Sequence, residues 1–143
     1  MKSEIGIVGG GLTGAMMAVT LSHCSDTVTL LTKAPLKAKT RHDDNRTTTI
    51  NAAGKAMLES LGVWSHLKKP PIPVARIMVA EGPIEIERIG HGQREFSLSW
   101  HDADHPMAYV VDNAALLRAL CHILFTRPVT VLQPTTVTSY ELI

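Results

Sequence analysis

Between Ile5 and Leu21 the chain passes from a short apolar stretch, through Gly9-Gly10-Gly11-Leu12-Thr13-Gly14, into a second stretch of small and apolar residues. This junction constrains the fold more than any other part of the sequence. Ile5, Ile7 and Val8 read as a buried parallel strand that stops at the glycines. Leu12 to His23 carries Ala15, Met16, Met17, Ala18, Val19 and Leu21, and reads as a helix covered on most sides, with Met16 and Met17 as core residues. Ser25-Asp26 marks a turn, and the β-branched, apolar run from Thr27 to Thr32 reads as a second strand. Strand, helix and strand in this order make a crossover unit over residues 4–33 and a parallel sheet.

The glycines fit the pattern G-x-G-x-x-G, and each has a physical task. Gly9 permits the tight strand-to-helix turn, Gly11 leaves the backbone open to an approaching pyrophosphate, and Gly14 lets the helix pack close on the sheet. The first N–H groups of the helix, from Leu12 and Thr13 onward, have no partner within it and point at the anion, which the helix dipole also attracts. A turn of this kind without a ligand would cost backbone entropy with no return. The expectation is an α/β fold with a Rossmann-like βαβ unit that binds a dinucleotide. An acidic residue usually ends the second strand and bonds a ribose hydroxyl. Thr32 stands there instead, a cofactor-binding candidate whose hydroxyl can still donate or accept, though more weakly than a carboxylate accepts, and it is followed by Lys33. Loss of the carboxylate weakens that contact by about 1–3 kcal/mol. It also leaves nothing to repel a 2′-phosphate, so an NADP-binding module is the alternative.

Farther on, Lys33 to Arg46 reads as a polar, basic loop and Thr47 to Leu61 as a helix, with Gly62 ending it. Its apolar face comprises Ala53, Ala56, Met57, Leu58 and Leu61, with Val63-Trp64 packing back on it. Pro70, Pro71 and Pro73 mark a stiff connection. An antiparallel strand region follows over about residues 74–100, with candidates at Arg76 to Ala80, Ile84 to Ile89, and Phe96 to Trp100. Phe96, Leu98 and Trp100 alternate with serines, the pattern of a half-buried strand. His101 to Pro106 reads as a loop, Asp112 as the N-cap of a helix over 113–125, and Val129 to Leu132 and Val137 to Leu142 as closing strands. Leu116, Leu117, Leu120 and Leu124 line that helix's apolar face.

With 143 residues and a net charge of +1, the chain is sized for one modest core and has no global attraction for nucleic acid. No run reaches the roughly 20 apolar residues of a membrane span, and Glu4 and the glycines argue against a signal peptide. A cytoplasmic location is expected, with peripheral contact at a membrane surface compatible with it. Cys24 and Cys121 read as free thiols. His101-Asp102-Ala103-Asp104-His105 reads as a solvated loop rather than a metal site, and Lys33, Lys37, Lys39 and Arg41 as a solvated basic face.

Three motifs in order carry a family resemblance. Glu4 to Leu21, EIGIVGGGLTGAMMAVTL, is followed by Asp43-Asp44-Asn45-Arg46 leading to Leu61-Gly62-Val63-Trp64, and then by Val110-Val111-Asp112-Asn113 with Leu116-Leu117. Together they resemble the opening part of the flavoprotein aromatic hydroxylases of ubiquinone biosynthesis, relatives of p-hydroxybenzoate hydroxylase. The resemblance implies FAD as cofactor, NAD(P)H as electron donor, and O2-dependent hydroxylation of an aromatic, polyprenylated phenol. It implies that Arg46 reaches the cofactor, for which a planar guanidinium is suited. It also implies that Asn113 lies near the cofactor, although a helix-start role explains Asn113 equally well. No catalytic acid or base is assignable. The family's later Asp-Gly and Gly-Asp segments have no counterpart here. The expectation is therefore a fragment, a truncated non-catalytic remnant, or a subunit that a partner chain or biosynthetic complex completes.

Overall fold

A computed structural model describes residues 3–36, 45–80 and 97–141. The crossover unit is present: β1 (Ile5–Val8), α1 (Leu12–Leu21) and β2 (Val28–Leu31). β1 and β2 pair in parallel, with Ile5 opposite Val28 and Val8 opposite Leu31. On the far side of β2 lies β8 (Val129–Leu132), also parallel, so the order is β1-β2-β8. Val28 and Leu30 are buried, whereas Val8, on the opposite face from Ile7, is 69% exposed, so β1 is covered on one face only among the described residues.

The segment from Thr47 departs from the sequence expectation. Thr47–Asn51 is a strand, β3, and the helix α2 starts five residues later and spans Ala52–Ser60. Thr47-Thr48-Thr49-Ile50 is a β-branched run, which fits a pleated surface better than a helical turn. Asn51 marks the change: its side chain accepts the Gly54 N–H at 2.8 Å and caps α2. Of the expected apolar face, Leu58 and Leu61 are buried, and Ala53, Ala56 and Met57 are exposed. The other end of α2 follows the sequence reading. Gly62 has φ +75°, its N–H donates to Glu59 O, and the Val63 N–H donates to Leu58 O at 2.8 Å, with Val63 fully buried. Those bonds satisfy the last carbonyls of the helix. A short 3₁₀ turn, Trp64–His66, follows.

β4 (Ile72–Val74), β5 (Arg76–Ala80), β6 (Ser97–His101) and β7 (Ala108–Asp112) complete the strands. β7 is the central strand of an antiparallel sheet in the order β3-β7-β4, a strand not expected from the sequence. Pro73 is tolerated because β4 lies at the sheet edge. β5 and β6 pair antiparallel as expected, but the half-buried face is not seen. Leu98 and Trp100 are 44% and 46% exposed. The candidates at Ile84 to Ile89 and at Phe96 lie outside the described residues. No strand forms at Val137 to Glu141, the described part of the last candidate.

α3 (Asn113–Leu124) starts where expected, with Asp112 Oδ1 accepting the Ala115 N–H at 2.7 Å. Its buried face, Leu116, Ala119, Leu120 and Leu124, packs against Ala15, Ala18 and Val19 of α1 in one core that also holds Leu30, Val63 and Val111. Small residues on both helices allow close approach, and each fully buried leucine contributes roughly 1.5–3 kcal/mol. Leu117 packs at the margin of this core. The core therefore fastens α1, and with it the glycine turn, to the β1-β2-β8 and β3-β7-β4 sheets.

Candidate functional site

The glycine turn is held from three directions. Gly9 has φ +110°, in the region that glycine alone occupies readily, and its N–H donates to Leu31 O at 2.8 Å. A Cβ on Gly14 would sit 1.8 Å from the Gly9 carbonyl oxygen, so only glycine lets the helix start against the turn. A Cβ on Gly10 would sit 2.5 Å from Thr32 Oγ1 and 2.8 Å from Leu36 Cδ2. Gly10 occupies a free position of the sequence pattern, so its packing role was not legible in the pattern. A third consecutive glycine was the available signal.

Gly11 differs from these. It is the N-cap of α1 in extended conformation, and a Cβ there would meet nothing within 4 Å. No side chain caps this helix end and its first turn holds no acidic residue. Among the described residues, the start of α1 thus has open space at the Gly11 Cα, no side-chain cap and no acidic residue in its first turn. This is the cradle that an anionic diphosphate requires, and the residues present fit one.

Thr32 lies beside this cradle but faces inward. It is buried, and its hydroxyl donates to Ala34 O at 2.9 Å. Lys33 beside it is exposed. The segment after β8 ties this loop down. The Thr32 N–H donates to Leu132 O, the Thr135 N–H to Thr32 O, and the Leu36 N–H to Gln133 Oε1 at 2.7 Å. Gln133 and Thr135 were not singled out by sequence reading. Their position follows from β8 lying next to β2, a pairing between segments a hundred residues apart.

Arg46 and Asn113 are brought together. The Asn113 N–H donates to Arg46 O at 3.1 Å, continuing the β3–β7 ladder, and Asn113 Oδ1 accepts the Thr48 hydroxyl. The acidic half of the Arg46 motif, Asp43-Asp44, lies outside the described residues, as do Lys37, Lys39 and Arg41. Asp112 is held below its ordinary carboxylate value, first by the Lys69 ammonium at 2.7 Å and then by the Ala115 N–H.

A separate cleft of about 460 Å³ opens beside the turn between α1, β3, α2 and α3. Leu12 and Thr13 line it together with Met16, Met17, Met57 and Leu116. Met17 is 47% exposed there, which corrects its reading as a core residue. The Thr20 and Thr48 hydroxyls in the wall donate to Met16 O and Asn113 Oδ1, so the cleft suits hydrocarbon rather than a diphosphate. Among the described residues no group of three or more metal-ligating side chains occurs, and no helix is long and apolar enough to cross a membrane. The Asp102 loop is a turn in which Oδ1 accepts the Asp104 and His105 N–H groups. Cys24 is exposed and Cys121 buried, both as free thiols, and burial pushes the Cys121 thiol up.

Residues 2–142 match the family model described as an FAD binding domain. None of the curated proteins matches the chain. Among solved structures, the Diels-Alderase PyrE3 of pyrroindomycin biosynthesis superposes with a TM-score of 0.66 at 21% identity, over 97% of this chain and 27% of that one. FqzB superposes with a TM-score of 0.66 at 15% identity, over 96% and 30%. The p-nitrophenol 4-monooxygenase PnpA from Pseudomonas putida DLL-E4 gives 0.61 at 16% identity, over 90% and 31%. The chain therefore spans between a quarter and a third of the length of these structures.

Proposed function

The chain belongs to the FAD-binding domain family, and from that premise we propose that it is the FAD-holding portion of a flavin-dependent monooxygenase that hydroxylates an aromatic ring with NAD(P)H and O2. The observation that carries the reading is the open, uncapped glycine turn at Gly11 in a chain matched to an FAD domain along its length. The family match also favours FAD over the NADP alternative. PnpA, a p-nitrophenol 4-monooxygenase, shares the fold, but so does a Diels-Alderase, and a fold does not select a reaction. The aromatic ring rests on the three ordered motifs, and their likeness to ubiquinone-pathway hydroxylases makes a polyprenylated phenol the ring of choice.

In this reading the N–H groups from Leu12 and Thr13 onward bind the pyrophosphate, and the absent Cβ of Gly11 lets it approach. Gly9 and Gly14 keep those donors aimed. Arg46 and Asn113 enter from the joined ends of β3 and β7, with the Arg46 guanidinium suited to a phosphate or ribose oxygen and Asn113 near the cofactor. Bound FAD supplies the electron transfer and oxygen activation, which no side chain can provide. The residues here bind, orient and shield it.

The test loads the protein with FAD and follows NAD(P)H oxidation with and without a 2-polyprenylphenol, with mass spectrometry of the ring. Saturable FAD binding is expected, and phenol-stimulated oxidation with a product heavier by one oxygen atom would support the hydroxylase reading. Bound FAD without NAD(P)H oxidation would instead support a binding subunit that a partner chain completes. Failure to hold FAD would remove both.

A further inference from the structure

Three loops meet at the C-terminal edge of the parallel sheet: the glycine turn after β1, Thr32 to Leu36 after β2, and Gln133 to Thr135 after β8. Ligands of open α/β sheets lie along that edge, and the end of the second strand borders the adenosine half of a dinucleotide. A carboxylate usually stands there. Here Thr32 is buried with its hydroxyl on Ala34 O, so the β2 loop does not offer an outward acid at that position.

The loop's shape is set from the third strand end. Gln133 Oε1 accepts the Leu36 N–H at 2.7 Å, a side-chain bond across 97 residues. Thr32 is held on both sides of its peptide, by Leu132 O at 3.0 Å and by the Thr135 N–H at 2.9 Å. Leu36 in turn reaches the glycine turn: its Cδ2 would lie 2.8 Å from a Cβ on Gly10. The Leu36 donor fixes which end of the amide faces the loop, so the Gln133 Nε2 carries two N–H donors on the other side.

Resting on the FAD reading, we propose that Gln133 is a positioning residue for the adenosine half of FAD. It holds Leu36, and through Leu36 the loop after β2, against the glycine turn. The loop then presents a fixed wall to the ribose and adenine without the carboxylate that usually anchors them. Gln133 leaves the pyrophosphate cradle itself untouched, because the Gly9 and Gly14 contacts do not involve it.

The test compares FAD, AMP and FMN binding to the full chain and to Gln133→Leu and Gln133→Glu, with melting temperature as a check on folding. Gln133→Leu removes the acceptor and leaves the Leu36 N–H unpaired. FAD and AMP affinities are expected to fall about tenfold, while FMN, which lacks adenosine, is unchanged. Gln133→Glu keeps an acceptor for Leu36 and restores FAD binding. Unchanged FAD affinity in Gln133→Leu overturns the proposal, and so does an equal loss of FAD and FMN. Absence of FAD and AMP binding in the unaltered chain overturns the FAD reading itself, and the proposal with it. If Gln133→Leu does not fold, amide exchange in the unaltered chain decides. Slower exchange at Leu36 with AMP but not with FMN supports the role, and no change at Leu36 refutes it.

Discussion

Gly11 and Gly14 stand three residues apart, yet a methyl group on each would meet different surroundings. At Gly14 it would overlap the Gly9 carbonyl oxygen, and at Gly11 it would project into open space. Gly11 also has φ −74°, which any residue adopts. Gly11→Ala is therefore expected to melt with the unaltered chain, within about 0.5 kcal/mol, while FAD affinity falls by about tenfold or more as the methyl blocks the pyrophosphate. Gly14→Ala forces turn and helix apart and is expected to cost about 3 kcal/mol or more. Thermal melts and FAD titrations on both variants separate the two roles, and a Gly11→Ala variant that binds FAD normally would contradict the assignment. The spacing of the glycines made the close packing at Gly14 and the open backbone at Gly11 legible, because each is a local backbone demand. The roles of Gly10, Thr32 and Gln133 depend on side chains arriving from distant strands, and no spacing encodes them.

Asp112 joins two elements: it ends β7 and caps α3, and it also pairs with Lys69. Asp112→Ala loses cap and ion pair, for about 1–2 kcal/mol. Asp112→Asn keeps the cap and loses only the half-exposed pair, for about 0.5 kcal/mol or less. The folded-state pKa lies below the unfolded one, so the charge contributes its full stability above pH of about 3.9 and loses it as pH falls through the depressed value. Denaturant melts of the unaltered chain and Asp112→Asn should converge only once the pH is below the depressed folded-state value, and a gap that persists there would show that it does not come from the ion pair. The cap was legible because it is local. β3 reads as helix in the sequence because its five residues run directly into a capped helix, and only Asn51 marks the change. β7 was missed for a related reason. Ala108 to Asp112 abuts α3, and its identity rests on partners near residues 50 and 73.

At the scale of the molecule, α1 and α3 share one core that presents the glycine turn, while other apolar surfaces stay open. Ile77 pairs with Trp100 and Val79 with Leu98, so one face of the β5–β6 ribbon is apolar and exposed. Period-2 alternation named that face correctly but not its exposure, since alternation reports which side is apolar and not what lies against it. The same holds for α1, whose apolar residues on every side do not reveal that Met17 borders a cleft. Class and order of elements were thus legible around the βαβ unit and α3, where the signals are short-range. The joining of Arg46 to Asn113 was not legible, because it follows from the long-range pairing of β3 with β7. The central claim, that this chain is built to hold FAD at the Gly9–Gly14 turn, meets its most direct test in calorimetric titration of FAD and NADP into the 143-residue chain. The account predicts saturable, one-to-one binding of FAD, competed by AMP, with NADP binding more weakly. Heat-silent titration with FAD, or tighter binding of NADP, would contradict it.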